Sequence, residues 1–209
     1  MALFKHKYKT ESNRLKNWDY SSEAIYFITM VAQNRECIFG KIENGEMVLS
    51  NKGKIIKNEL LKSYKIRDNW VFHNCIIMPN HIHLLIEISN NYDLLVETHR
   101  SASKTAELPS MEINDNTSQL QSADRLALSR KSNSISSFVA IFKSVTTHQI
   151  NLLEGDALRC VSTEQRCVSK IWQANYHDHI VRNYDSFEKI YLYIKNNPKN
   201  WNNDSIKST

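Results

Sequence analysis

The spacing of apolar residues divides the chain into segments with strand-like and helix-like patterns. Strands are predicted where aromatic and β-branched residues cluster, at 24–31, 70–78, 78–86 and 171–182. Helices are predicted where apolar residues recur every three or four positions, at 51–61, 134–153 and 185–197, and a further helical stretch begins at 94. Ser134 suits the N-cap of the second of these helices, and Pro198 ends the last one.

The segment 78–86 carries the most distinctive pattern, His-Ile-His within a run of aliphatic residues. Side chains alternate between the two faces of a strand, so His81 and His83 share one face while Ile82 and Leu84 take the other. Two imidazoles side by side on a stiff strand offer half of a metal site. The pattern is also that of two histidines solvated on an exposed face, and this alternative stays open from the spacing alone.

The last predicted helix places two further polar groups one turn apart. Tyr193 and Asn197 are separated by four residues and therefore lie on one helix face. A tyrosine hydroxyl can form a covalent intermediate, and an amide oxygen can bind a metal. Together with His81 and His83 they would form a phosphoryl-transfer site. The alternative is that Tyr193 is an ordinary aromatic of an amphipathic helix, and Tyr191 is a competing candidate for the nucleophile.

Composition limits the possible classes of function. The 209 residues, 41% of them hydrophobic, suit one well-packed domain, and the net charge of +5 fits a polyanionic partner. Four glycines are too few for a Gly-rich phosphate loop, and the four cysteines form no C-x-x-C pair. With no disulfide framework, no apolar secretory signal and no membrane-spanning run, we expect a cytoplasmic protein that does not enter a membrane.

Three segments interrupt the periodic pattern. Residues 1–22 are polar and basic and are predicted to form an N-terminal arm, and 202–209 a C-terminal tail. Between them, 23–201 is predicted to be a single domain with an inserted flexible loop at about 101–133, where Ser, Asn, Asp and Gln predominate. Arg-Cys-Val-Ser occurs at 159–162 and again at 166–169, which indicates a local duplication in a tolerant loop.

Four blocks of the chain, taken together and in this order, resemble the REP-associated tyrosine transposase group of the single-tyrosine HUH transposases. The blocks are Tyr26-Phe27-Ile28-Thr29 with Asn34-Arg35, Met78-Pro79-Asn80-His81-Ile82-His83-Leu84-Leu85, Ile171-Trp172-Gln173 through Asn183, and Tyr193-Ile194-Lys195-Asn196-Asn197-Pro198 through Trp201. The insertion at 101–133 departs from the family pattern but removes no motif residue.

The resemblance implies a ferredoxin-like α+β fold, with an antiparallel sheet and helices packed on one face. It implies a metal site of His81, His83 and Asn197 for Mg²⁺ or Mn²⁺, and Tyr193 as the catalytic nucleophile. The family cleaves single-stranded DNA at folded palindromes and leaves a 5′-phosphotyrosine and a free 3′-hydroxyl. We therefore expect DNA hairpins as partners of a monomer or homodimer.

Two other functions are compatible with these residues. One is a domesticated relative that binds hairpin DNA without cutting it, and the other is a small-molecule hydrolase that uses a His-x-His zinc site. The intact set of motif residues favours the cleaving enzyme over the pure binder. The hydrolase would need additional carboxylate ligands, and only Glu87 is close to the histidines in sequence. DNA contacts are predicted for Arg35, Lys143 and Arg182, while His177 and His179 are expected to be structural or to face DNA.

Overall fold

The computed structural model describes residues 3–4, 8–9, 14–89, 131–157 and 169–207. Its strands are β1 (Leu3–Phe4), β2 (Tyr8–Lys9), β3 (Ala24–Val31), β4 (Gly40–Glu43), β5 (Glu46–Leu49), β6 (Trp70–Ile77), β7 (His81–Ile88) and β8 (His177–Val181). Its helices are α1 (Asn51–Lys65), α2 (Ile135–Ala157) and α3 (Tyr184–Asn196), with short 3-10 turns at Gln33–Arg35 and Trp201–Asn203. The helical stretch predicted from 94 and most of the predicted insertion lie outside the described residues.

The central sheet has the topology of a ferredoxin-like fold. Elements β3, α1, β6, β7, α2 and β8 follow one another as β-α-β-β-α-β. The sheet order is β6-β7-β3-β8, and every neighbouring pair is antiparallel. Residues 78–80 join β6 to β7 as an antiparallel hairpin. The predicted α+β fold with an antiparallel sheet is confirmed.

The main core fills one face of the sheet. Side chains of β3 and β7 that alternate toward this face, including Tyr26, Ile28 and Ile82, pack with apolar residues of α1 and α2. Both helices follow the predicted apolar stripes, and Ser134 caps α2 by accepting a hydrogen bond from the backbone N–H of Ser137. The prediction of helices on one face therefore holds for α1 and α2.

The third helix covers the opposite face of the sheet, which the sequence analysis did not predict. Ile194 of α3 packs with Leu85 and Val181 in a second, smaller apolar cluster. Because these residues alternate with those of the main core along β7 and β8, α3 lies on the face that carries His81 and His83. The helix thereby brings its polar side chains to the histidines.

Asn183 positions the start of α3. Its side chain accepts a hydrogen bond from the backbone N–H of Ser186, which makes it the N-cap. The helix therefore begins at Tyr184, one residue before the start at 185 that the sequence pattern predicts. In the described ranges, no helix is long and apolar enough to cross a membrane.

Candidate active site

His81 and His83 lie on the central strand β7, between β6 and β3. Their exposed fractions are only 0% and 2%, because α3 and the segment after it cover this face of the sheet. The histidines are therefore not solvated surface residues, and that alternative reading of the pattern is wrong. Burial of two uncharged imidazoles requires that each ring nitrogen find a partner or a cation.

Asn80 orients His81. The amide nitrogen of Asn80 donates hydrogen bonds to the backbone carbonyls of Arg35 at 3.0 Å and Ile206 at 2.9 Å. The amide oxygen of Asn80 consequently faces Nδ1 of His81 at 2.8 Å, and this oxygen can only accept. Nδ1 of His81 therefore carries the hydrogen, and Nε2 presents a lone pair.

His83 is held by its strand neighbour and points toward α3. Its Nδ1 lies 2.8 Å from Oγ1 of Thr29, and its Nε2 lies 3.4 Å from the hydroxyl oxygen of Tyr193. The ring stacks on Phe27, with ring centroids 5.2 Å apart. When Nδ1 donates to Thr29, the lone pair of Nε2 points to the space between His81 and Tyr193.

Tyr193 is a half-exposed residue of α3 whose hydroxyl faces His83. The side chain is 45% exposed, and its ring meets Phe27 edge-on. Tyr191 points elsewhere on the helix, because its ring stacks on Phe187, which in turn packs against His73. The structure therefore brings Tyr193, and not Tyr191, to the histidine pair.

Asp204 is a candidate metal ligand that the sequence analysis missed. Its Oδ2 lies 3.7 Å from Nε2 of His81, and its side chain is 3% exposed. Ligand atoms of His81, His83 and Asp204 all lie within 4.8 Å of one another. Asp204 comes from the segment that follows Pro198, where no apolar periodicity predicts a direction for a side chain. The only available signal was an acidic residue seven positions after Asn197.

The cluster contains acceptor atoms that lack donors. Nε2 of His81, Oδ1 of Asn197 and Oδ2 of Asp204 are buried, and each has no hydrogen-bond partner within the described part of the chain. A divalent cation would satisfy all three groups at once. Imidazole, amide and carboxylate together suit Mn²⁺, whereas carboxylate and amide oxygens suit Mg²⁺. The residues present therefore fit the metal that the family resemblance implies.

Burial controls the proton equilibria of the site. It lowers the pKa of His81 to about 4, although the nearby Asp204 carboxylate opposes the change. Burial also holds the pKa of His83 well below its usual value, with smaller contributions from His81 and His177. For Tyr193, burial and then the charge of Asp204 raise the pKa of the hydroxyl, against a hydrogen bond with Asn197. Both imidazoles are neutral near pH 7, the form that binds a metal.

We expect the metal-free protein to lose stability as the pH falls from about 6.5 toward 4. The pKa of His81 is lower in the folded than in the unfolded chain, so the unfolded chain binds the extra proton first. His81 alone contributes a fall of about 3 kcal/mol in the free energy of unfolding over this range. Urea denaturation in EDTA at several pH values measures this fall in the free energy of unfolding.

The matched comparison is His81→Gln against His148→Gln, since His148 is exposed on α2. We expect the first variant to show a weaker pH dependence, with the contribution of His83 remaining, and the second to keep that of the wild type. Equal slopes for the wild type and both variants would contradict the assigned burial effect.

The predicted DNA-binding residues lie at three separate places. Arg35 is exposed, and its guanidinium donates to the backbone carbonyl of Ser205 at 3.3 Å. Lys143 donates to the carbonyls of Gln173 and Asn175, and burial lowers its pKa to about 8. Arg182 is exposed and lines an open cavity beside β8. Their contact with DNA stays a prediction.

His177 and His179 lie on β8 and alternate toward the face that α3 covers, as Val181 does. His177 is close enough to His83 to influence its pKa, and His179 lines the same cavity as Arg182. Neither belongs to the group of candidate metal ligands among the described residues.

A solved structure shares the fold of this chain. A structure described as a REP-associated tyrosine transposase bound to a REP hairpin aligns with a TM-score of 0.51 and 14% identity, over 92% of this chain and 74% of that chain. A putative transposase from Deinococcus radiodurans R1 aligns with a TM-score of 0.40 and 11% identity, over 88% of this chain and 97% of that one. The first alignment shows that this chain has the fold of that transposase structure.

A comparison of sequences shows the family. No family model matches the chain. An uncharacterized protein of Haemophilus influenzae Rd is 32% identical over 195 residues, which is 93% of this chain and 91% of the relative. The chain belongs to the same family as this Haemophilus protein.

Proposed function

We propose that this protein cleaves and rejoins single-stranded DNA at hairpins, with a divalent metal and a 5′-phosphotyrosine intermediate on Tyr193. The observation that carries the proposal is the position of Tyr193. The residue is half-exposed, and its hydroxyl lies 3.4 Å from Nε2 of His83, beside buried acceptor groups of His81, Asn197 and Asp204 that have no donor in the described part of the chain. The fold shared with a transposase bound to a REP hairpin supports hairpin DNA as the substrate.

The reaction exchanges one phosphodiester bond for another. The Tyr193 oxygen forms a bond to phosphorus and loses its proton, and the bond from phosphorus to the 3′-oxygen breaks. The departing 3′-oxygen takes up a proton and becomes a free hydroxyl. In the reverse direction a 3′-hydroxyl attacks the phosphotyrosine and restores a DNA strand, so no nucleotide cofactor is consumed.

The side chains of this site have separate tasks in that scheme. His81, His83 and Asp204 are proposed to hold the metal together with Asn197, and Asn80 and Thr29 orient the two imidazoles. The bound metal would polarise the phosphate and neutralise charge on the attacking and leaving oxygens. Phe27 packs against the rings of both His83 and Tyr193, which fixes the position of the nucleophile relative to the metal ligand.

The proposal is tested by incubating the protein with labelled hairpins that carry single-stranded flanks. We expect a covalent protein–DNA adduct that survives SDS in Mn²⁺ or Mg²⁺ and is absent in EDTA. Hairpins that bind but give no adduct in either metal would contradict cleavage and favour a hairpin-binding protein without nuclease activity.

A further inference from the structure

The strand β6, at the edge of the described sheet, contains a β-bulge that turns two consecutive side chains toward the same face. The pairing with β7 shifts between Phe72 and Asn74, so His73 is the extra residue. Phe72 lies opposite Ile86 of the main core, whereas Asn74 lies opposite Leu85 of the smaller cluster under α3. His73 and Asn74 therefore both face α3, which a regular strand does not allow for neighbouring residues.

Asn74 contacts the backbone of α3. Its amide nitrogen donates a hydrogen bond of 3.0 Å to the backbone carbonyl of Tyr191. Tyr191 lies two residues before Tyr193, which is roughly 3 Å along the helix axis. Because the acceptor is a backbone atom, the bond restrains the rotation and the axial position of the helix, and a change of the side chain at position 191 leaves it intact.

His73 packs against an earlier turn of the same helix. Its Nε2 lies 2.7 Å from Oε2 of Glu87, which faces α3 from the neighbouring strand, and this contact orients the imidazole. The ring of His73 meets that of Phe187 edge-on, with ring centroids 5.0 Å apart. Phe187 and Tyr191 are one turn apart on the helix, so the bulge contacts α3 at two successive turns.

Contacts from the bulge matter because the apolar support of α3 is small. Ile194 is the only buried residue among the thirteen of α3, all of which the structure describes. It packs on a cluster whose other buried members are Leu85 and Val181, whereas α1 and α2 pack into the main core. A helix with few buried apolar contacts shifts or opens at a low cost in free energy.

We propose that His73 and Asn74 are positioning residues, which fix α3 so that the hydroxyl of Tyr193 lies opposite His83. The inference rests on the proposed function, since it takes Tyr193 as the nucleophile. Neither residue belongs to the group of candidate metal ligands among the described residues. They act through the helix, because a shift of about 1 Å would misplace the nucleophile relative to the histidines of β7. Misplacement on this scale lowers a reaction rate by up to about 100-fold.

The first test replaces the donor of Asn74 by an acceptor. Asn74→Asp keeps the size of the side chain but places a carboxylate against the carbonyl of Tyr191, and Asn58→Asp makes the same change at an exposed position of α1. We expect Asn74→Asp to form the adduct about 10- to 100-fold more slowly in single turnovers at saturating hairpin and Mn²⁺. The two variants should bind the hairpin equally, because both gain the same charge. Asn74→Gln, which keeps the amide donor, should recover much of the rate.

Amide hydrogen exchange without metal or DNA tests the positioning independently of cleavage. We expect the amides of α3 to exchange about fivefold faster in Asn74→Asp and in His73→Ala, since each variant loses one contact with this helix, while α1 and α2 exchange as in the wild type. Exchange in α3 that is the same in Asn74→Asp and Asn58→Asp, or an adduct rate that is the same, would overturn the proposal. Faster exchange in all three helices would also overturn it, because it would show a general loss of stability. A wild type that forms no adduct would contradict cleavage instead, and the exchange of α3 would still decide whether the bulge positions this helix.

Discussion

Tyr193→Phe is expected to abolish the covalent DNA adduct while hairpin binding stays close to that of the wild type. The substitution removes only the oxygen that would attack phosphorus, so adduct formation should fall on the order of 10³-fold or more. The ring keeps its contacts with Phe27 and His83, and the lost hydroxyl gives up a long contact of 3.4 Å to His83 and its hydrogen bond with Asn197. Adduct yield on denaturing gels, hairpin affinity and a thermal melt measure the three quantities.

The matched control is Tyr191→Phe. It removes the same atom from the same helix, but from a ring that stacks on Phe187 outside the histidine cluster. We expect this variant to form the adduct at the rate of the wild type. An adduct that persists in Tyr193→Phe and disappears in Tyr191→Phe would show that the nucleophile is wrongly assigned.

Asp204→Asn is expected to lower the affinity for Mn²⁺ by about 100-fold and to reduce adduct formation at limiting metal. The substitution keeps the size of the side chain but removes the charge from an oxygen 3.7 Å from Nε2 of His81. His83→Ala should have at least as large an effect, because it deletes an imidazole ligand. Asn197→Ala should have a smaller one, since an amide oxygen is the weaker ligand for a transition metal. Calorimetric titration with Mn²⁺ measures each affinity.

The stability of the metal-free protein shows whether Asp204 acts as a metal ligand or as a structural residue. Without metal, Oδ2 of Asp204 is a buried acceptor that has no partner in the described part of the chain, so its neutralisation should not lower the melting temperature. Asp68→Asn, at an exposed position, controls for the loss of one negative charge. An Asp204→Asn variant that binds Mn²⁺ like the wild type would remove Asp204 from the metal site.

Local patterns in the sequence predicted much of the fold. The spacing and type of apolar residues predicted the strands around His81 and His83 and the apolar face of α2. These patterns are informative because each element buries one face against a neighbouring element. The same reasoning placed Tyr193 and Asn197 one turn apart on a helix. It did not predict which face of the sheet α3 would cover, since that depends on how the connection after Val181 turns.

Asp204 could not be predicted because its position depends on tertiary contacts. It follows a 3-10 turn at Trp201–Asn203, and its Oδ1 accepts a hydrogen bond from the backbone N–H of Ile206. The backbone carbonyl of Ile206 is in turn held by Asn80, at the hairpin before β7. No spacing within 198–207 indicates that this segment returns to the histidines. The histidines are buried because this segment packs against them.

The amide of Asn80 contacts three parts of the chain that could otherwise change independently in related proteins. One side chain sets the tautomer of His81, fastens the turn at Arg35 and holds the backbone next to Asp204. A substitution at position 80 would disturb ligands that are more than a hundred residues apart. In diverging relatives, we therefore expect position 80 and the segment around 204–206 to change together or not at all, so their co-inheritance would mark chains that keep the metal cluster.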